Sequence, residues 1–424
     1  MTAEIAIINR SAVALAADSK VTLSMGGRQK TYDTVNKLFA LSKTEPIGAM
    51  IYGNAEFIGF PWETVIKEYR RKRPNLVCDT VFLVADDFLE FLTSFFNFTI
   101  NDEDRTAIGI AQAWAQHIFD QSYAGEDLAV SIRQSIDTYL AELERADDFL
   151  NEAEWVLVEG RVANQLRVIS SFGVMQNFPQ LQDELYRLIS LGIRKSLSSP
   201  ATSGVVIAGF GDRELLPSLV AYNIDGILAG RLKSIEIRRY DTTRNSQGVI
   251  LPFAQSDMVY RFMEGIDPEY ATLLHESLEQ LLLGNARDIA AVAGLEGENL
   301  AAIMPAIEAA VKSSSDAYWA AHERHRRERF ASPIIDMAAS LPKDELANLA
   351  ESLVSLTSLQ RRVSRDIETV GGAIDVAVIS KGDGFVWVKR KHYFPADRNL
   401  RFINSYFLDY NGQKQAGGPH ADDA

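Results

Sequence analysis

The sequence predicts an α+β protein in which two antiparallel sheets stack and carry helices on their outer faces. Three observations predict it. Strand-like and helix-like segments come in blocks, in the order strands, helices, strands, helices, strands. The strand-like runs are too apolar to leave a sheet face in water. Just after Gly53 the hydrophobic spacing changes from short continuous runs to steps of three and four.

Residues 4–8 and 12–17 are short, apolar and separated by Asn9-Arg10-Ser11, the pattern of a hairpin. Gly26-Gly27 marks a turn, and 37–41 with 47–52 form a second strand pair across a loop containing Pro46. Phe57, Phe60, Val65, Ile66 and Tyr69 then fall on one helical stripe that ends in Arg70–Arg73 and is stopped by Pro74. Segments 79–97, 103–121, 126–146 and 179–197 each read as amphipathic helices. Strands return at 204–210, 219–222, 226–229 and 233–240. Helices follow at 257–264, 268–284, 298–330 and 342–366, and strands at 373–379 and 384–389 join through the turn Lys381-Gly382-Asp383-Gly384. The expectation is one domain over 1–410, with its core in about 1–75, 200–284 and 342–392 and helical insertions at about 79–198 and 285–341; the polar tail 411–424 reads as disordered.

Composition narrows the function classes. With 47% hydrophobic and 24% charged residues among 424, the chain can bury a large core. A net charge of −14 argues against a nucleic acid or an acidic membrane as the main partner. The single Cys78 rules out an intrachain disulfide and reads as a small buried apolar residue. No run approaches the ~18–20 apolar residues of a membrane span, and the start lacks a secretory pattern, so a cytoplasmic protein is expected. His322-Glu323-Arg324-His325 reads as a solvated helix face, and Lys389-Arg390-Lys391-His392 as a surface cluster. Gly209-Phe210-Gly211 lacks the third glycine of a phosphate loop. No metal or organic cofactor is expected.

The chemistry-bearing residues cluster in the first 53 positions. Thr2 follows Met1; Asp18 ends the first hairpin; Lys37 opens the second strand pair; Gly53 closes it. A threonine hydroxyl attacks a carbonyl only when a base takes its proton. A threonine at the chain start carries such a base, an α-amine with a pKa of about 7.7–8.0. A neighbouring lysine ammonium lowers the pKa of both groups, an aspartate holds that lysine charged, and a turn glycine can present its N–H to an oxyanion. Met1 precedes a residue small enough for removal by methionine aminopeptidase.

These segments resemble those of the proteasome β-subunit-like N-terminal nucleophile hydrolases, in the company of bacterial HslV and Anbu. Thr2 through Lys20 is similar to the family's opening hairpin, 34–38 to its lysine strand, and 53–63 to its glycine and first helix. Residues 204–211 resemble its central strand, and 371–376 its last. The resemblance covers roughly half the chain and leaves the helical insertions unexplained. It implies an αββα four-layer sandwich and a threonine-type peptidase with Thr2, Asp18, Lys37 and Gly53 in the catalytic roles above. Ser256, without the family's flanking glycines, would stand near the α-amine. Asp366 and Thr369 match the family's late Asp and Ser only with a one-residue shift; strict register places Ile367 and Val370 there. By position, Val21, Val35, Phe39, Ile51 and Ala55 would border an apolar substrate pocket, while as ordinary core residues they need no such role. Glu4 has no counterpart role. Family members form rings or spirals, so a homo-oligomer is expected, with peptide or protein substrates and an optional separate ATPase unfoldase. Two other readings stay open: a small-amide hydrolase of the same chemistry, and a catalytically silent relative whose insertions serve binding or assembly.

Overall fold

The computed structural model describes residues 2–399 apart from 26–27, 96, 123–127, 245–247, 296, 365–369, 393 and 395–397. It is an α+β structure with antiparallel sheets. The chain opens with strands β1 (Ala3–Ile8), β2 (Val13–Ala17), β3 (Val21–Met25), β4 (Arg28–Tyr32), β5 (Leu38–Ala40), β6 (Ile47–Gly53), β7 (Glu56–Phe57) and β8 (Phe60–Pro61). Helices α1 (Trp62–Lys72), α2 (Val81–Ser94), α3 (Ile100–Ser122), α4 (Leu128–Arg145), α5 (Glu152–Ser171) and α6 (Gln182–Arg194) follow. Strands β9 (Ser203–Gly209), β10 (Ser218–Leu228), β11 (Arg231–Asp241) and β12 (Val249–Ala254) come next. Then come α7 (Asp257–Glu264), α8 (Pro268–Val292), α9 (Gly297–Arg326), a π-helical turn at Arg327–Ala331, α10 (Ser332–Ser340) and α11 (Lys343–Val363). Strands β13 (Asp375–Ser380) and β14 (Gly384–Lys389) complete the described order.

One five-stranded sheet runs β12-β1-β2-β13-β14, the other β11-β10-β9-β6-β5. Strands β1, β2, β9 and β13 are buried on both sides because successive side chains point to opposite faces and both faces find apolar partners, whereas the edge strands β11 and β14 leave side chains in solvent. Ala6, Ile8, Val13 and Leu15 of the first sheet meet Met50, Val206, Ala208, Leu219 and Ala221 of the second in one apolar cluster. Ala3, Ile5 and Ile7 turn the other way, onto Leu346, Ala350, Leu353 and Val354 of α11. The second sheet packs Ala49, Ile51, Val205, Ile207 and Val220 against Val65, Ile66 and Tyr69 of α1 and Val84 and Phe88 of α2. Helices α3–α6 pack Trp114, Ile118, Ile132, Trp155 and Leu185 into a further cluster, joined by Leu228 of β10.

Several elements differ from the sequence expectation, each for a physical reason. Phe57 and Phe60 do not continue the first helix: Gly59 and Pro61 break the period, and the two aromatics sit in a small hairpin before α1. The pieces at 219–222 and 226–229 are one strand, β10, whose register against β11 shifts near Gly226. Strand β12 carries Pro252, which argues against a strand in sequence but is tolerated at the sheet edge it occupies. Helix α5 lies outside the helices expected from apolar spacing, although Asn151 and Glu154 form a complete capping box at its start. The stretch expected as one helix over 298–330 ends at Arg326, and the chain continues through the π turn into α10. The tail 411–424 lies outside the described residues.

Packing between the sheets also fixes what surrounds the start of β1. Tyr52 of β6 lies over Gly204 of β9, packs against Phe253 of β12 at 5.6 Å between ring centres with the rings tilted by 31°, and donates to Asn223 Oδ1 at 3.1 Å. A Cβ on Gly204 would stand 1.9 Å from the Tyr52 ring. Gly204→Val is therefore expected to displace that ring and cost ~1–3 kcal/mol, read from the urea unfolding midpoint. An unchanged midpoint would contradict this packing.

Candidate active site

The site is assembled by strand ends. Asp18 is the first residue past β2, where the ladder with β1 still holds it: its N–H donates to Ala3 O at 3.2 Å, and Ala3 N–H donates to its Oδ1 at 3.2 Å. Its Oδ2 accepts from Gly371 N–H at 2.9 Å and Lys20 N–H at 3.3 Å. Ser19 N–H donates to Gly371 O at 3.2 Å, so the approach to β13 is clamped to the end of β2 from both sides. Val35 N–H donates to Ser19 O at 3.1 Å, and Ile51 N–H to Lys37 O at 2.9 Å. Those two bonds deliver Lys37 to the site, where its Nζ donates to Asp18 Oδ1. Asp18 and Lys37 are both buried.

Thr2 precedes β1 and is also buried, and its carbonyl accepts from Gln255 N–H at 3.0 Å. Its hydroxyl donates to Glu4 Oε2 at 2.9 Å. The other carboxyl oxygen of Glu4 lies 3.2 Å from Lys37 Nζ, an ion-pair contact without hydrogen-bonding geometry. Thr2 Oγ1 and Lys37 Nζ therefore meet on one carboxyl group, with Asp18 on the far side of the lysine. Glu4 is fully buried; burial pushes its carboxyl up to about 7, with Lys37 opposing and Asp18 adding to the rise. Two carboxyl groups share one lysine here, so removal from water penalises the second negative charge. Burial and the charge of Glu4 also push the Tyr52 phenol up.

Gly53 ends β6 with φ +77°, a conformation that L side chains rarely adopt, and a Cβ there would stand 2.4 Å from Thr202 O. In β6 the register of Phe39 on Ala49 and the bond from Ile51 N–H to Lys37 O show that odd-numbered amides face β5. Gly53 N–H points off that same edge, beyond the end of β5. Ser256 stands at the start of α7, next to the Gln255 amide that holds Thr2, and no hydrogen bond joins its hydroxyl to the cluster among the described residues. Asp366 lies outside the described residues, as does Thr369. Phe39 and Ile51 are packed in the core beneath α1 and α2, while Val21, Val35 and Ala55 are half-buried. A separate cavity of about 290 Å³ is lined by Asn54, Phe57, Arg105, Ile110, Ser199 and Asp225, and none of the five expected pocket residues lines it. Among the described residues no cluster of His, Cys, Asp and Glu could hold a metal ion, and no helix is long and apolar enough to cross a membrane.

Sequence reasoning left Glu4 without a role. The signal available was its parity: in β1 it shares a face with Ala6 and Ile8, which point between the sheets. The amide of Gly371 on Asp18 carries no sequence signal at all.

No protein-family model matches this chain, and no curated protein matches it at a significant level. Among solved structures, Anbu from Hyphomicrobium sp. strain MC1 is similar at a TM-score of 0.28 and 10% identity, over 99% of this chain and 100% of that one. A Gly-1 mutant of Anbu from the same strain gives 0.28 and 11%, over 100% of both chains. Anbu from Yersinia bercovieri, described as an ancestral beta-subunit, gives 0.27 and 10%, again over 100% of both. At TM-scores this low the likeness carries no argument, and the site stands on its own geometry.

The position of Glu4 has a consequence for stability. Its carboxyl titrates near 7 in the folded chain against 4.5 ordinarily, so between those values the folded chain holds a proton that the unfolded chain has released. Stability accordingly falls as pH rises through this window and levels off above it. Glu4→Gln removes the penalty. Its stability advantage over wild type is expected to grow by on the order of 3 kcal/mol between pH 4 and pH 8, measured by urea unfolding at both. An advantage independent of pH would contradict the assignment.

Proposed function

We propose that this chain is an amide hydrolase whose nucleophile is the Thr2 hydroxyl, active once Thr2 is the first residue. The observation that carries the reading is the convergence of Thr2, Lys37 and Asp18 in one buried cluster, from three separate stretches of the first sheet and the loop before β5. A lysine held charged by a buried aspartate supplies the positive potential that favours an ionising hydroxyl. The α-amine, on the same residue, is a proton carrier that needs no further positioning. The Gly53 N–H, directed off the end of β6, supports a role as donor to the oxyanion formed when the hydroxyl adds to the carbonyl. Collapse of that intermediate releases the amine and leaves an ester on Thr2, which water hydrolyses.

The apolar cluster shared by the two sheets, with helices on each outer face, supports the αββα sandwich of the proteasome-like N-terminal nucleophile hydrolases as the fold. Peptides with an apolar residue before the cleaved bond are the substrates this reading favours, with Val21, Val35 and Ala55 along the approach. Ser256 belongs to it as a supporting group near the α-amine, and Asp366 as the counterpart of the family's late aspartate. The reading carries with it a homo-oligomer in the cytoplasm, no cofactor, and a separate ATPase only where the substrate is a folded protein.

A panel of fluorogenic peptides tests it. Wild-type protein beginning at Thr2 is expected to hydrolyse members with an apolar residue before the fluorophore. Thr2→Ala is expected to lower kcat/KM by on the order of 10⁴-fold without loss of folding. Lys37→Ala is expected to lower it by a similar factor at a cost in stability, because it leaves Asp18 and Glu4 without their shared cation. Turnover that survives Thr2→Ala contradicts the proposal.

A further inference from the structure

The Thr2 hydroxyl already has a proton acceptor that is not the α-amine. Its Oγ1 donates at 2.9 Å to Oε2 of Glu4, a completely buried side chain of β1 two residues past the nucleophile. The two residues point the same way because positions two apart in a strand share a face. Glu4 is held there by the ladders on both sides, opposite Ala17 in β2 and Phe253 in β12. Its second oxygen faces the Lys37 ammonium at 3.2 Å in an ion pair. A carboxyl buried this completely is costly, and an apolar residue at this place in β1 would pack as its neighbours do.

We infer that Glu4 is a catalytic residue: the base that takes the Thr2 hydroxyl proton, leaving the α-amine to act as its complementary acid. This rests on the reading of Thr2 as nucleophile and assigns the proton traffic within it. In acylation, Oγ1 bonds to the substrate carbonyl carbon as its proton passes to Glu4 Oε2. The carbonyl π pair moves onto oxygen and then returns to carbon. The C–N bond breaks, and the leaving nitrogen receives a proton from the α-ammonium. In deacylation the neutral α-amine takes a proton from the attacking water, and Glu4 returns its proton to Oγ1 as the ester bond breaks. Atoms and charges are restored at the end of the cycle.

The division of labour has a pH signature. Acylation needs Glu4 ionised and the amine protonated, so its rate is bell-shaped, with an acid limb near 7 from Glu4 and an alkaline limb near the ~8 of an α-amine. An amine acting alone as base gives one acid limb and no fall at higher pH. The groups facing Glu4 are Lys37 before β5, Asp18 after β2 and Tyr52 of β6, the last also sensing Arg238 of β11; β12 presents Phe253. Of the ionisable ones, Tyr52 is pushed up by burial and by Glu4, so its titration lies clear of the window.

The test is the rate of covalent labelling of Thr2 by an alkyl β-lactone between pH 5.5 and 9.5, followed by intact mass, in chains beginning at Thr2. Wild type is expected to show the bell. Glu4→Gln is expected to label ~10²-fold more slowly and to lose the bell for a single acid limb. Glu4→Asp, which keeps the charge on a shorter arm, is expected to slow labelling yet keep both limbs, and it decides the matter if the glutamine variant does not fold. Labelling of Glu4→Gln at the wild-type rate and profile overturns the role of Glu4 while leaving Thr2 as nucleophile. Wild type that begins at Thr2 and takes no label there overturns the nucleophile itself, and Glu4 with it.

Discussion

The carboxylate of Asp18 is the joint on which the rest of the structure depends. It accepts three backbone amides, from Ala3, Lys20 and Gly371, and pairs with Lys37. Those partners come from the start of β1, the chain after β2, the approach to β13 and the approach to β5. One buried anion thus ties the first sheet to the edge of the second, at the end where Thr2 sits. Such a charge is tolerable only because each lone pair has a donor, and removing any partner would leave the others buried and unpaired.

Stability and chemistry pull apart at Glu4. The inter-sheet layer is otherwise filled by Ala6, Ile8, Leu15, Met50 and similar side chains, and a carboxyl among them raises its own proton affinity rather than staying charged for free. Proteins accept such a local cost where a group is needed in two protonation states near neutral pH. That cost falls on the strand carrying the nucleophile, and tight packing around Tyr52, Phe253 and Gly204 holds the arrangement in place.

Much of this was legible in sequence, and the parts that were not have identifiable causes. The apolar runs of β1, β2, β6 and β9 announced themselves because both faces are buried, and the helix at 257–264 was read to the residue. Pro252 hid β12, since a proline normally argues against a strand, and the two-residue strands before α1 were too short to compete with a helical stripe of aromatics. Asp18 and Lys37 could be picked out by order and spacing, but their meeting depends on bonds from Val35 to Ser19 and from Ile51 to Lys37. Backbone contacts of that kind leave no trace in residue identity. The charge of Glu4 was visible, while its meaning required the face on which β1 presents it. Phe39 and Ile51 show the limit from the other side: an apolar residue beside a site and one in the core beneath it look the same in sequence.

The proposed chemistry requires Thr2 to react as the first residue of the chain. The most direct measurement is N-terminal sequencing and adduct mapping of natively expressed protein after exposure to a peptide epoxyketone, which bonds to both the hydroxyl and the α-amine of an N-terminal threonine. The expected product is a chain that begins at Thr2 and carries one adduct, mapped to that residue. Native protein that retains Met1, or one that begins at Thr2 with its adduct elsewhere, would contradict it.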